Sequence, residues 1–232
     1  MNTVDFTVHA FDPRGLALYA KTRYNRLTKA TPAQVFAAVP AAVAIIDGPM
    51  WGGGGVAKAT YRDKRMGVDL HGILKPGQGC FLRVKSGVAS LGPDMLDADV
   101  SVQLYPCLVW RGQNIHTRGI DEGDTWRVGA GVLGDGRVAF AIGRGGMTKF
   151  ADDMIAAGFT DGGYTDGGHS SVLAKRDGTI VKHAGLLPVD SYLMDLGDKA
   201  PPVPARTGLI VAGVVAAVAG VALGFGAHHK WP

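Results

Sequence analysis

Apolar and polar residues alternate in short runs along this chain, and the runs are broken by glycine and aspartate turns. That pattern predicts many short strands. Val4–Val8 reads as a strand, Gly15–Ala20 as a second, and Ala42–Ile46 as a buried strand running into Asp47-Gly-Pro-Met-Trp51 and Gly52–Gly55. Short strands fill Val68–Ala89. Val100–Trp110 and Val128–Ile142 extend the series, the latter folded at Asp135-Gly136. Two stretches switch to helical spacing. Thr31 caps the first, with Pro32 at its first position and Val35, Phe36 and Val39 on one face. The second takes Thr148 as its cap, buries Phe150, Met154, Ile155 and Ala157, and ends at Gly158. Phe159–Ser171 then reads as a glycine-rich loop before a strand at Val172–Lys175. The fold class expected from these elements is α+β, a mainly antiparallel or mixed sheet with two or more helices.

The pattern changes near the C-terminus. Thr207–Ala227 holds no charged residue and is long enough, at about 1.5 Å per residue, to cross a hydrocarbon core of about 30 Å. The expected organisation is a domain over 1–190, a Pro-rich linker over 191–206, a transmembrane helix over 207–227 and a short tail over 228–232. The chain is thereby expected at a membrane as a single-pass, C-terminally anchored protein. Ala212, Ala216, Gly220 and Gly224 recur every fourth residue, a stripe suited to helix–helix self-association. The first residues lack a basic segment followed by an apolar run, so no secretory leader is expected.

Composition narrows the function classes. Hydrophobic residues make up 47% of the 232, enough to bury a core and to argue against disorder. The net charge of +4 comes from scattered basic residues with no aromatic interleaving, so no nucleic-acid partner is expected. Cys80 and Cys107 lack metal-ligand spacing; they fit two buried thiols in strands, or a pair where the compartment is oxidising. No cofactor and no metal motif are expected.

The densest chemistry lies in Asp161-Gly-Gly-Tyr-Thr-Asp166-Gly167-Gly168-His169-Ser170-Ser171. Carboxylates, an imidazole and hydroxyls among glycines can supply an acid or base with hydrogen-bond donors. The same residues also make ordinary turns. Asp47, followed by Trp51, is a second candidate, either a binding-loop edge or a tight turn with a core tryptophan.

The order of these blocks, from about Asp5 to Leu186, resembles the phosphodiester glycosidase family. Ala-Val-Ala-Ile-Ile-Asp-Gly-Pro-Met-Trp stands where that family has Asn-Gly-Gly-Phe-Phe. Leu104–Gln113 is similar to its Gly-Pro-x-Leu-Val stretch, Arg127–Phe140 with the following helix to its central hairpin and helix, and Asp166–Ser171 to its Asp-Gly-Gly-Gly-Ser motif. The departures fall in the motifs: Asp47 replaces Asn, Pro49 a Gly, Met50-Trp51 the two Phe, and His169 the third Gly.

The resemblance implies hydrolysis of a sugar-1-phosphodiester at the glycosidic C–O bond, on a glycan or cell-envelope substrate. Asp166 is then the principal carboxylate, with Asp47 as the second. Arg127, or failing it Arg144 or Arg111, forks the phosphate. Gly167, Gly168, His169, Ser170 and Trp51 complete the substrate contacts. The altered motifs leave a second reading open: a non-catalytic structural or glycan-binding protein tethered to a membrane, as in a phage or virion component.

Overall fold

The computed structural model describes residues 6–20, 22–23, 26–27, 29–48, 51–52, 56–57, 59–72, 74, 78–95, 97–117, 121–168, 171–182, 189 and 191–199. Among them strands dominate, and every strand pairing is antiparallel.

One sheet has six strands in the order Phe6–Phe11, Val138–Gly145, Thr125–Leu133, Phe159–Gly167, Cys107–Trp110, Gln113–Asn114. A second has five: Val88–Gly92, Cys80–Lys85, Val100–Leu104, Tyr61–Asp63, Val68–Leu70. A third, also of five, runs Ile180–Lys182, Leu173–Lys175, Ala44–Asp47, Ser191–Asp195, Leu16–Ala20.

Period-two alternation explains how three sheets share one core. Leu18, Ile46, Leu82, Val102, Val128, Phe140 and Leu193 all point into a single cluster between the sheets. In the first and third sheets the residues alternating with them face outward and are covered by the helices. Ile45, Tyr192 and Met194 pack with Val35 of the seven-residue helix Pro32–Ala38. Ala139 and Ala141 pack under Met147, Phe150 and Met154 of the ten-residue helix Met147–Ala156.

The architecture is therefore mainly β, not α+β. The two α-helices are short covers on outer sheet faces, too small to form a layer comparable with sixteen strands in three sheets. No helix among the described residues is long and apolar enough to cross a membrane. The expected transmembrane segment 207–227, with Ala212, Ala216, Gly220 and Gly224, lies outside the described residues. The start of the expected linker is part of the domain instead: Ser191–Asp195 is a fully buried strand between Ala44–Asp47 and Leu16–Ala20.

The largest local difference is at Phe159–Gly167, expected as a loop and found as a nine-residue strand paired on both sides. Its glycines serve close packing. A Cβ on Gly163 would lie 2.8 Å from Leu104 Cβ and 3.0 Å from Pro106 O, and one on neighbouring Gly129 would lie 2.8 Å from Gly163 O. Of the two readings of the cysteines, the structure has the pair: Cys80–Cys107 is a disulfide with Cα atoms 5.7 Å apart. It ties the second sheet to the Cys107–Trp110 strand of the first.

Candidate functional site

Asp166 lies near the carboxyl end of Phe159–Gly167, opposite Val128. Thr165 is an extra residue in the ladder there: Val128 faces Asp166 while Gly129 faces Tyr164. The bulge re-aims the last residues of the strand. The Gly167 N–H donates to Asp166 Oδ1 at 2.7 Å.

Asp47 ends its own strand, 1% exposed, and its N–H donates to Val172 O at 3.3 Å. The strands Ala44–Asp47 and Phe159–Gly167 touch. Asp47 is thus paired with the chain just beyond the Asp166–Gly168 segment, and the topology brings both carboxylate-bearing strands to one corner. Ser171, fully buried, donates its hydroxyl to Trp126 O at 3.3 Å and anchors that segment to the hairpin. Gly168 has φ +78, which suits glycine.

Across the ladder Arg127 stands opposite Gly167, with its side chain 3% exposed. Its guanidinium is engaged by neighbours on every nitrogen. Nη1 donates to Asp121 Oδ2 at 2.6 Å, and Nη2 to Asp121 Oδ1 at 2.9 Å and to Gly123 O at 3.2 Å. Nε donates to Gly145 O at 3.3 Å. The same cation lies 5.8 Å from the centre of the Tyr164 ring. Arg127 therefore braces the site from beneath; its hydrogen-bonding capacity goes to Asp121 and the backbone. Arg144 is on the hairpin surface, half exposed and paired with Asp124 at 3.1 Å, opposite Trp126.

Burial first, and the Asp166 charge second, push the Tyr164 hydroxyl above its ordinary range, so it remains protonated. The Arg127 hydrogen bond holds the Asp121 carboxyl below the usual carboxylate range against the opposing effect of burial. Asp47 also shapes a neighbour: Tyr192, its partner across the ladder, is raised by burial and then by the Asp47 charge.

Sequence reasoning missed the acidic pair Asp121–Glu122. Glu122 accepts from the Thr148 N–H at 3.2 Å and also bonds the Thr148 hydroxyl. Thr148 is thus no cap: the N-cap is Gly146, and Glu122 serves the helix N-terminus from a distant loop. Asp121, Tyr164, Tyr105 and His116 line a cavity of about 330 Å³ beside the site. Only the Asp-Glu dipeptide ahead of the hairpin hinted at this.

Trp51 is placed by its backbone in the two-residue strand Trp51–Gly52, paired with Val56–Ala57. His169 and Ser170 lie outside the described residues. Among the described residues no group of three His, Cys, Asp or Glu side chains is arranged to hold a metal ion.

No protein-family model matches this chain, and no curated protein matches it. Solved structures do. The catalytic domain of zebrafish N-acetylglucosamine-1-phosphodiester alpha-N-acetylglucosaminidase, auto-inhibited by its pro-peptide, is similar with a TM-score of 0.63 at 11% identity, covering 84% of each chain. A hypothetical protein from Synechocystis is similar with a TM-score of 0.54 at 11% identity, over 82% of this chain and 58% of that one. At such identity the likeness is one of fold: this chain shares, distantly, the architecture of a phosphodiester glycosidase domain.

Proposed function

We propose that the protein is a hydrolase that cleaves sugar-1-phosphodiesters at the glycosidic C–O bond. The observation that carries the reading is the convergence of the Asp47 and Asp166 strands at one corner, within a fold similar to a domain named for that reaction. Water adds to the anomeric carbon as the C1–O bond breaks. The phosphomonoester departs with the bonding electron pair, and the proton of the attacking water passes to the Asp166 carboxylate. A phosphomonoester leaves readily, so little acid assistance is required. Asp47 lends a second negative charge, which favours the oxocarbenium-like centre.

Arg127 has no part in holding phosphate in this scheme; it fixes Asp121 and Tyr164. That same locking favours one rival, a non-catalytic glycan-binding module on the same fold, because the cation expected to meet the phosphate is engaged elsewhere. Incubation of the protein with an α-linked N-acetylglucosamine-1-phosphodiester separates the two. Free sugar in the product supports the hydrolase, whereas binding of the diester with no sugar released favours the module.

A further inference from the structure

A buried side-chain hydroxyl ordinarily meets a hydrogen-bond partner, because leaving one without costs stability. Among the described residues three do not: Ser101, Thr165 and Ser191, each no more than 2% exposed. Two of the three lie on strands of the candidate site. Thr165 is the extra residue beside Asp166, and Ser191 opens the strand Ser191–Asp195 next to Ala44–Asp47.

Register decides which way Ser191 points. Side chains alternate along its strand, and Leu193 lies in the core cluster between the sheets. Ser191, two positions earlier, takes the same face. Its hydroxyl lies against Gly48, where a Cβ would collide with Ser191 Oγ, and the Gly48 N–H donates to Ser191 O at 3.0 Å.

Asp166 takes the matching face of the first sheet. Its ladder partner Val128 belongs to the same core cluster, so Asp166 also points between the sheets. The two walls are joined at this end. Asp47 N–H donates to Val172 O, and the adjacent Ser171 hydroxyl donates to Trp126 O, with Trp126 packed against the same cluster. Ser191 and Asp166 thus face one end of the inter-sheet core from opposite sides.

We infer that Ser191 is a further catalytic residue, the acceptor that orients the attacking water beside Asp166. The inference rests on the hydrolase reading and deepens it by naming what aims the nucleophile. Water has two O–H bonds. One gives its proton to the Asp166 carboxylate, and the other donates to Ser191 Oγ, which leaves an oxygen lone pair for the anomeric carbon. The C1–O bond to phosphate breaks as the new C–O bond forms, and the phosphomonoester keeps the electron pair. Bulk solvent does not reach the Ser191 hydroxyl, and buried polar groups of this kind are where single waters are held. An unpartnered hydroxyl that lowers stability is kept where function needs it.

The test compares Ser191→Ala with Ser101→Ala, which changes the unpartnered hydroxyl of the second sheet, for release of N-acetylglucosamine from its α-1-phosphodiester. Both variants remove an unsatisfied buried group, so both should melt at or above the wild-type temperature. Ser191→Ala alone should lower kcat, by at least about tenfold with KM unchanged. Dilute methanol adds a readout that packing does not move. Methanol has one O–H, which goes to Asp166, so it makes no use of Ser191. The ratio of methyl glycoside to free sugar should therefore rise several-fold in Ser191→Ala. Wild-type kcat and product ratio in Ser191→Ala, or an equal loss of kcat in Ser101→Ala, would overturn the inference and leave the hydrolase standing. A folded wild type that releases no sugar removes the hydrolase reading itself, and the inference with it.

Discussion

Asp121 holds Arg127 through both carboxylate oxygens, at 2.6 and 2.9 Å, yet the two side chains differ sharply in exposure: 54% for Asp121 and 3% for Arg127. The buried member depends on the exposed one. Asp121→Ala leaves a desolvated guanidinium without its counter-charge, which is expected to cost about 2–3 kcal/mol by urea unfolding. Arg127→Met should cost less, because the orphaned carboxylate can turn to water. The reverse ranking would show that Arg127 is not the dependent partner.

The same pair sets a pH dependence. The folded-state pKa of Asp121 is depressed, so its contribution is fully present above the ordinary aspartate value of about 3.9 and is lost as pH falls through the lower folded value. Its exposure keeps the effect modest. Exposed Asp12, Asp135 and Asp177 are also lowered by local partners, so the informative quantity is the difference between wild type and Asp121→Asn. That difference should be constant from pH 5 to 8 and shrink below about pH 4. A difference that grows on acidification would contradict the assignment.

Glycine packing gives a sharper contrast. A Cβ on Gly131 would collide with Asp161 O and lie 2.7 Å from Gly162 Cα, both backbone atoms of the partner strand. Gly131→Ala should therefore destabilise by about 3 kcal/mol or more or abolish folding. Gly123→Ala meets nothing within 4 Å and should fall within about 0.5 kcal/mol of wild type. Similar melting temperatures for the two variants would mean that the Gly-rich strand is not packed as described.

These glycines also show where sequence reasoning stopped. The Asp135-Gly136 turn and the Thr31 cap were legible because each is decided by adjacent residues. Thr31 accepts from Gln34 N–H and Gln34 returns the bond. Asp-Gly-Gly at 161–163 carries the same local signal as a turn. Its strand conformation is decided by Ala130 O beside Gly162 and by Leu104 and Pro106 O beside Gly163, which no window around it contains. Glu122 serves Thr148 across 26 positions and was invisible for the same reason. The expected α+β class failed through helix length: helical spacing was read correctly at both places, but the helices cover the sheets without forming a layer. Of the candidate site, the Asp47 and Asp166 strands meet at one corner and Arg127 lies opposite Gly167, while Arg144 stands apart on the surface.

The Cys80–Cys107 disulfide closes a loop with a sequence separation of 27 and joins two sheets. Replacing both cysteines with serine should lower stability by about 3–4 kcal/mol. Wild type under strong reductant should show a comparable loss. A double variant as stable as wild type would mean that the bond contributes nothing to the fold.

The central claim is that Asp166 is the reacting carboxylate of a sugar-1-phosphodiester hydrolase. The most direct measurement compares wild type with Asp166→Asn, an isosteric change at a partly buried strand residue, for release of free N-acetylglucosamine from its α-1-phosphodiester. The account predicts release by wild type and a drop in kcat of at least about a hundredfold in the variant, with an unchanged melting temperature. Undiminished release by Asp166→Asn, or none by a folded wild type, would contradict it.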